Sequence, residues 1–217
     1  MASHHFIPGA RFRFLTPSYD RLCRLLGMGD RMRAFEVRAI GPVAGKRVLE
    51  VGCGTGELLR SVARDSTAAR LVGLDPDQGM LEQAGAKFRA AGIRAELLRG
   101  YAEALPFPDG SFDVVLSSLM FHHLDGPTKR AALREWRRML APGGVLVLVD
   151  FGVPRSALLR ALTWPARLGL FEQVAENLRG RVPVLLDEAG FSSEEVGRYG
   201  DLIVAYVART AGRVGAA

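Results

Sequence analysis

The segment that most constrains the fold is a glycine-rich run, EVGCGTG (50–56), which joins a predicted strand to a predicted helix. KRVLEV (46–51) has the apolar character of a buried strand, and ELLRSVARD (57–65) has a helical pattern. Glycines at such a turn let the backbone bend tightly and let a ligand approach without meeting a Cβ. The helix N-terminus that follows offers unpaired N–H groups. The run therefore predicts either a loop that binds a nucleotide-like ligand or a purely structural turn.

β-rich runs alternate with helical patterns from residue 46 onward, which predicts a parallel sheet covered by helices. In the tail, a helix is predicted at 184–191, followed by two strands around the turn Tyr199-Gly200-Asp201 that predict an antiparallel hairpin at the sheet edge. Pro142-Gly143-Gly144 is expected to end the helix before the fifth strand. The other predicted strands lie at 70–75, 93–100, 111–118 and 145–152, and the other helices at about 77–91 and at 128–140.

Two Leu/Arg-rich segments, 1–40 and about 154–180, lie outside this alternation and have helical patterns. We predict that 1–40 forms a helical cap and that 41–217 forms one α/β domain with a helical insert at about 154–180. The total of 217 residues suits one such domain better than two independent ones.

The apolar runs, the N-terminal sequence and the cysteines indicate where in the cell the protein is expected. No apolar run approaches the roughly 20 residues that span a bilayer, and the start, MASHHFIPGARFRF, lacks the apolar stretch of a secretory signal. A cytoplasmic location is therefore predicted. Cys23 and Cys53 lie far apart and form no metal-ligand pattern, so neither a disulfide scaffold nor a metal site is expected.

The net charge of +6 has two interpretations. It could attract anionic lipid or nucleic acid, or it could reflect a GC-rich genome that favours arginine codons. The basic residues are nearly all arginine and are spread along the whole chain, which favours the second interpretation.

The spacing of the glycines indicates which ligand the loop suits. The dinucleotide fingerprint G-x-G-x-x-G, counted from Gly52, needs a small residue at position 57, but that residue is Glu57 and the third glycine comes early, at Gly56. A carboxylate there would lie beside the site of a pyrophosphate, which disfavours a nucleotide-dependent oxidoreductase. S-adenosylmethionine carries no phosphate, so the objection does not apply to it.

Asp75 ends the second predicted strand, where an acidic side chain can accept hydrogen bonds from both ribose hydroxyls. Asp75-Pro76 is also a good helix N-cap with proline at the first helical position, and the two roles are compatible. After the third strand, GYAEALPF (100–107) is expected to face the same crevice, where its backbone could contact an adenine edge.

Together these features resemble the class I S-adenosylmethionine-dependent methyltransferases, in particular the small-molecule branch that includes the ubiquinone/menaquinone C-methyltransferases. The resemblance implies a Rossmann-like α/β fold, with a seven-stranded, mostly parallel sheet, helices on both faces and an antiparallel C-terminal edge hairpin. It also implies S-adenosyl-L-methionine as cofactor and S-adenosyl-L-homocysteine as product. The matching stretches are VLEVGCGTGELL (48–59), LVGLDPDQGML (71–81), AEALPFPDGSFDVVLSSLMFHHL (102–124) and REWRRMLAPGGVLVLVDF (134–151).

The resemblance further implies a set of cofactor-binding residues. They are Glu50, Gly52, Cys53, Gly54, Gly56 and Ser117 at the methionine end, Asp75 with Pro76 at the ribose, Met80, Tyr101, Ala102 and Glu103 at the adenine, and Tyr19 closing over the cofactor from the N-terminal segment.

One departure from the family pattern concerns the adenine. Many relatives have aspartate where this chain has Tyr101, and that aspartate contacts the adenine amino group. In this chain the contact is missing, is made by Glu103, or is replaced by aromatic packing.

The sulfonium methyl is already activated, so the enzyme must mainly align the nucleophile and exclude water. A base is needed only if the nucleophile loses a proton. His122 and His123 are the candidates, although such a pair could simply shape the loop. Asp150 could orient the substrate or cap the next segment. Trp136 and Met139 have helical spacing and are expected in the core.

The apolar insert predicts a small aromatic or lipophilic acceptor, such as a quinol-like ring or a lipid amine. With the basic N-terminal region it could also contact an anionic membrane, or it could be an ordinary lid. SSLMFHHL (117–124) lacks the Asn/Asp-Pro-Pro-aromatic signature of amino-group DNA methylases, so no nucleic-acid partner is expected. Methylation of nucleic acid or protein and an inactive adenosyl-binding module remain alternatives, and the oligomeric state is left open.

Overall fold

The computed structural model describes residues 19–66 and 69–210, apart from the side chains of Tyr19 and Leu22. A 3₁₀ turn covers Phe121–His123, and a π-helical turn covers Ala166–Leu170. The helices of these ranges are α1 (Tyr19–Leu25), α2 (Asp30–Ile40), α3 (Glu57–Asp65), α4 (Gln78–Ala91), α5 (Gly126–Met139), α6 (Ala157–Leu162), α7 (Glu172–Leu178) and α8 (Val182–Glu188). The strands are β1 (Arg47–Val51), β2 (Arg70–Asp75), β3 (Ala95–Arg99), β4 (Phe112–Ser118), β5 (Leu140–Phe151), β6 (Phe191–Tyr199) and β7 (Ile203–Thr210).

All seven strands form one sheet in the order β3-β2-β1-β4-β5-β7-β6. Strands β1 to β5 pair in parallel, whereas β7 is antiparallel to both β5 and β6. The predicted Rossmann-like fold with its antiparallel C-terminal hairpin is therefore confirmed. Because the chain crosses from β3 back to β4 on the other side of β1, the strand order reverses beside β1, and ligands of open α/β sheets bind at such a point.

The sheet is buried on both faces, because successive apolar side chains of its central strands point to opposite sides. In β4, Val115 packs into one core cluster, while Val114 and Leu116 pack into the other. The first cluster contains Trp136 and Met139 of α5, which confirms their predicted place in the core. The second contains residues of α3 and α4 that lie under the glycine-rich loop.

The boundary between α5 and β5 differs from the prediction. Asp125 caps α5 by accepting a hydrogen bond from the Thr128 N–H (2.8 Å), so the helix begins at Gly126, two residues earlier than predicted. It ends at Met139, and Leu140 already pairs with Phe112. The expectation that 142–144 ends the helix is therefore wrong, since these residues lie inside β5 at a shift of its register with β4.

The predicted helix at 184–191 is displaced in the structure. It begins at Val182, because Pro183 suits the first helical turn, and it ends at Glu188. Phe191 starts β6 and is buried, so an apolar residue that continued the helical pattern belongs to the sheet instead.

Helix α2 packs against the sheet, where Met32 is fully buried. The loop before α2 is tied to β6, because the Tyr199 hydroxyl donates to the Gly27 carbonyl (2.6 Å). The insert between β5 and α8 consists of α6, the π-helical turn and α7, with Pro165 between the first two. The division of the chain at residue 40 stays a prediction, and residues 1–18 lie outside the described part. No helix in the described ranges is long and apolar enough to cross a membrane.

Candidate active site

A cavity of about 640 Å³ opens at the carboxyl ends of the central strands. Its walls are the loops that follow β1, β2, β3 and β4, together with parts of α1, α2, α5 and α7. Most of the predicted site residues meet there, although they come from separate parts of the sequence. Those that line the cavity are Glu50, Gly52, Cys53, Gly54, Asp75, Pro76, Met80, Tyr101, Ala102, Glu103 and His123.

The glycine-rich loop has a left-handed backbone at Gly52 (φ 76°) and Gly54 (φ 52°). A Cβ on Gly52 would come within 2.3 Å of the Met120 side chain, whereas a Cβ on Gly54 would meet only open space. The Gly54 backbone is thus bare on the side where a ligand could approach. Glycine is required at both positions, for side-chain clearance at the first and for conformation at both.

Asp75 holds this loop in place. Its Oδ2 accepts from the Gly54 N–H (2.9 Å), and its Oδ1 accepts from the Asp77 N–H (2.9 Å). A carboxylate offers about four acceptor positions, so about two remain for ligand hydroxyls. Burial raises the pKa of Asp75, and the two backbone hydrogen bonds offset part of this rise.

Asp75 does not cap the following helix. The cap is Asp77, whose Oδ1 accepts from the Gly79 N–H (2.8 Å), and α4 begins at Gln78. The interpretation of Asp75-Pro76 as an N-cap is therefore wrong, because a second aspartate two residues later performs that function. This leaves the Asp75 carboxylate for the loop and for a ligand.

Near the carboxyl end of β1, Glu50 is buried and its Oε2 has no hydrogen-bond partner among the residues that the structure describes. Burial raises the pKa of Glu50 well above its ordinary value, and the positive charge of Arg33 offsets only part of this rise. Arg33 lines the cavity and is ion-paired with Glu36 (Nε–Oε2 2.9 Å). An unpaired buried acceptor costs about 1–3 kcal/mol, so this position suits a cationic donor supplied by a ligand.

A polar network ties α1 to the glycine-rich loop. The Thr55 hydroxyl donates to Asp20 Oδ1 (2.6 Å), and the Lys87 ammonium donates to Asp20, to Glu57 Oε1 (2.7 Å) and to the Thr55 carbonyl (3.2 Å). The Glu57 carboxylate thus lies at the N-terminus of α3, held by Lys87. That this carboxylate disfavours a pyrophosphate stays a prediction from the sequence.

The loop after β3 is held by α5. The Trp136 indole N–H donates to the Ala102 carbonyl (3.1 Å), and Glu135 accepts from the Leu105 N–H (3.1 Å). Arg138 donates to the Phe107 carbonyl (2.9 Å). This face of α5 therefore fixes the segment predicted to contact adenine.

The end of β4 turns sharply into the cavity. Leu119 has a left-handed backbone (φ 49°), which is unusual for a side chain other than glycine and costs on the order of 1–3 kcal/mol. Its N–H remains bonded to the Val149 carbonyl (2.8 Å). The turn directs Met120 and His123 to the cavity wall. Such strain is commonly found at functional sites.

The two histidines occupy different environments. His123 lines the cavity mouth, where partial burial and then the neighbouring His122 lower its pKa to about 4. His122 does not line the cavity. Its ring lies between those of His123 (4.1 Å) and Phe151 (4.4 Å), and its Nδ1 is 2.7 Å from Asp150 Oδ1.

Asp150 neither lines the cavity nor caps a helix. Burial by itself would raise its pKa, but His122 and the hydrogen bonds that it receives lower it, so it is a buried carboxylate. Asn177 donates to Asp150 (3.3 Å) and accepts from the fully buried Lys129 (2.8 Å). A polar network under the cavity wall thus fixes the orientation of His122.

Comparisons with known proteins identify the family. A model described as a methyltransferase domain matches residues 48–144. A demethylmenaquinone methyltransferase of Clavibacter sepedonicus is 37% identical over 153 residues, which cover 70% of this chain and 60% of the relative. A ubiquinone/menaquinone biosynthesis C-methyltransferase of Geotalea uraniireducens is 34% identical over 174 residues, which cover 75% of this chain and 73% of the relative. The chain belongs to the class I S-adenosylmethionine-dependent methyltransferases.

A solved S-adenosylmethionine-dependent methyltransferase from Aquifex aeolicus has the same fold, with a TM-score of 0.66 at 21% identity. The match covers 82% of this chain and 89% of that one. The predicted family and cofactor of this methyltransferase are therefore confirmed. The chain spans 60% of the length of the Clavibacter relative.

Three predicted site residues lie outside the cavity wall of this methyltransferase. Gly56 caps α3, and a Cβ there would lie 2.7 Å from the Phe88 ring, so its glycine serves packing. Ser117 is buried inside β4, and the next residue, Ser118, lines the cavity instead, because successive strand residues point to opposite faces. His122 is the third. The side chain of Tyr19 lies outside the described part of the structure, so its closing role stays a prediction.

Sequence reasoning missed the polar partners that α1, α2 and the insert bring to the site. Arg33 and Glu36 are spaced as an ordinary i, i+3 ion pair, and nothing in the sequence indicates that Glu36 is buried. Lys129 and Asn177 are 48 residues apart and meet only through the fold. The one available signal was the position of Asp20 next to Tyr19, the residue predicted to close over the cofactor.

Proposed function

We propose that this protein transfers the methyl group of S-adenosylmethionine to a small, lipophilic aromatic acceptor with a quinol-like ring. The observation that carries the proposal is the lining of the cavity, which includes, besides the predicted cofactor residues, a second group that is uncharged except for Asp125. We call this group the acceptor region; it consists of Met120, Leu124, Asp125, Pro127, Thr128, Ala131 and Gln173. The names of the relatives, which act on demethylmenaquinone or belong to ubiquinone/menaquinone biosynthesis, support the same class of acceptor.

The residues present fit the cofactor. The unpaired Oε2 of Glu50 suits the methionyl ammonium, the bare backbone at Gly54 suits a close approach, and the free acceptor positions of Asp75 suit two ribose hydroxyls. When bound, the cofactor supplies a methyl group already activated on a sulfonium. The protein's own task is to align the acceptor and to keep water out.

We assign His123 the task of orienting the acceptor. Because its pKa is lowered to about 4, the imidazole is neutral near pH 7 and can accept a hydrogen bond from a ring hydroxyl. His122 does not reach the cavity, so we assign it and Asp150 a positioning role for the loop that carries His123. The predicted cytoplasmic location and the cap boundary at residue 40 stay predictions.

The test uses the full chain, methyl-labelled S-adenosylmethionine and a panel of acceptors. The panel contains a reduced, short-chain demethylated naphthoquinone, phosphatidylethanolamine, DNA and a peptide mixture. We expect label only on the naphthoquinol ring. Label on the lipid amine, DNA or peptide would overturn the acceptor class. Binding of S-adenosylhomocysteine without label on any acceptor would identify an inactive adenosyl-binding module instead.

A matched pair of variants tests whether the acceptor binds at the acceptor region. It compares an alanine of that region with an alanine on an exposed helical surface. Ala131→Leu fills the acceptor region, while Ala91→Leu makes the same change at an exposed position in α4. The first should raise the KM for the naphthoquinol and leave the Kd for S-adenosylhomocysteine unchanged. The second should change neither constant. An unchanged KM in Ala131→Leu would place the acceptor elsewhere.

A further inference from the structure

Exposed large apolar side chains are concentrated in the insert. Ten large hydrophobic residues of the described ranges are exposed, and six of them lie between residues 158 and 171. Scattered exposed apolar residues are ordinary, whereas a dense group of them marks an interaction surface. We call these six residues the insert patch: Leu158, Leu162, Trp164, Leu168, Leu170 and Phe171.

The insert patch has little apolar contact with the described part of the protein. Helix α6 and the π-helical turn contain five leucines but no buried residue. Leu158 and Leu162 are one turn apart and therefore share a face of α6. Apolar surface left in water is unfavourable, so a second apolar phase that covers this face would stabilise the arrangement.

The insert patch lies next to a residue of the cavity wall along the chain. Gln173 lines the cavity and is two residues beyond Phe171. A second exposed pair, Leu25 (87% exposed) and Leu26 (64%), lies between the cavity-lining residues Arg24 and Met28. The exposed apolar residues thus belong to the same two segments that form part of the cavity wall.

Charge indicates what covers the insert patch. Residues 155–171 contain three arginines and no acidic residue, although the exposed Glu172 follows directly and Glu195 Oε1 lies 3.7 Å from Arg155. Two copies meeting through this surface would bring like charges together, whereas anionic lipid headgroups would complement them. Arginine can keep its charged end among headgroups while its stem packs on apolar chains, and tryptophan such as Trp164 is typical of the membrane interface.

We propose that the insert patch docks this methyltransferase on the surface of an anionic lipid bilayer, with Trp164 and the exposed leucines in the interface and the arginines among the headgroups. The docking goes beyond the methyl transfer proposed above and does not depend on the identity of the acceptor. It would place the walls of the cavity next to the phase in which lipophilic molecules dissolve.

The test is flotation of the full chain with vesicles, without cofactor or acceptor. Vesicles of phosphatidylcholine are compared with vesicles that also contain phosphatidylglycerol, at low and at high salt. We expect flotation with the anionic vesicles at low salt and its loss at high salt. Trp164→Glu/Leu168→Glu should weaken partition more than about tenfold. The control, Val184→Glu/Val196→Glu, changes two exposed valines outside the insert and should partition like the wild type.

A second pair of variants tests the charge. Arg160→Glu should weaken partition to anionic vesicles about fivefold or more, because each basic residue near the surface contributes on the order of 1 kcal/mol. Arg94→Glu, at an exposed position before β3, makes the same change elsewhere and should have a much smaller effect. Calorimetric binding of S-adenosylhomocysteine confirms that each variant is folded.

Three outcomes would overturn the proposal. The first is no flotation of the wild type on either vesicle, and the second is equal weakening by the insert and control variants. The third is a dimer that Trp164→Glu/Leu168→Glu dissociates, without flotation of the wild type, since the patch would then join two copies. None of these readouts involves methyl transfer, so the proposed activity succeeds or fails separately.

Discussion

Replacing Asp75 by asparagine tests the cofactor site with almost no change in shape. The carboxylate accepts from two backbone N–H groups through different oxygens, Gly54 N–H at Oδ2 and Asp77 N–H at Oδ1. An asparagine has one acceptor oxygen, so its NH₂ group must face one of these donors. One buried N–H then loses its partner, which costs about 1–3 kcal/mol in the free energy of unfolding.

The effect on S-adenosylmethionine binding should be larger. The two ribose hydroxyls would lose a charged acceptor, and hydrogen bonds to charged groups contribute about 1.5–3 kcal/mol compared with about 1 for neutral pairs. The difference for two hydroxyls is about 1–4 kcal/mol, which corresponds to a Kd raised roughly 5- to 1,000-fold. Titration calorimetry gives the Kd, and urea unfolding gives the stability.

Asp77→Asn is the matched control, because it makes the same chemical change two residues away in the same wall of the cavity. Asparagine caps helices about as well as aspartate, so both the stability and the Kd should change little. A Kd for Asp75→Asn within about threefold of the wild type would refute the reasoning. Equal weakening by both variants would refute it as well, since the effect would then come from charge in general.

Three further predictions concern other parts of the site. Burial keeps Glu50 partly protonated until the ammonium of the cofactor arrives. Binding of S-adenosylmethionine should therefore release a proton at pH values above the ordinary glutamate pKa of 4.5. Calorimetry in buffers of different ionisation heat should detect this release in the wild type and not in Glu50→Gln. The affinity should accordingly fall as the pH is lowered through the raised pKa. Across about pH 5–8, kcat/KM should show no limb from His123, whose pKa is about 4, and a limb in that range that disappears in His123→Ala would contradict the neutral imidazole. Trp136→Phe removes the hydrogen bond to the Ala102 carbonyl (3.1 Å) in the loop after β3, which is predicted to contact adenine. This variant should raise the Kd for S-adenosylhomocysteine roughly three- to tenfold and leave the Kd for methionine unchanged. Equal changes in both constants would mean that the indole does not act through this loop.

The fold could be predicted in large part because its signals are local. A few consecutive residues are enough to recognise each apolar strand and the glycine-rich turn. The loops after the strands meet because parallel strands end at the same edge of the sheet. The errors arose where two local signals compete. Asp75 and Asp77 both resemble an N-cap, and the structure assigns the cap to the second.

The surroundings of the site could not be predicted, since they depend on contacts between distant segments. The sequence offers no means to tell His122 from His123. In the structure, His122 contacts the buried carboxylate of Asp150, 28 residues away, whereas His123 lines the cavity. The left-handed turn at Leu119 that produces this difference has no residue signature, because leucine does not favour that conformation.

Helix α5 reaches both ends of the cavity. Its first turns carry Thr128 and Ala131 in the acceptor region. Its last turns carry Trp136 and Arg138, which hold the loop after β3 that is predicted to contact adenine. At about 1.5 Å per residue, the helix holds Thr128 and Arg138 roughly 15 Å apart along its axis. New acceptors could therefore be accommodated by changing the first turns alone, while an inserted or deleted residue in the middle of α5 would misalign acceptor and cofactor together. The length of α5 thus fixes the distance between the acceptor region and the loop that is predicted to contact adenine.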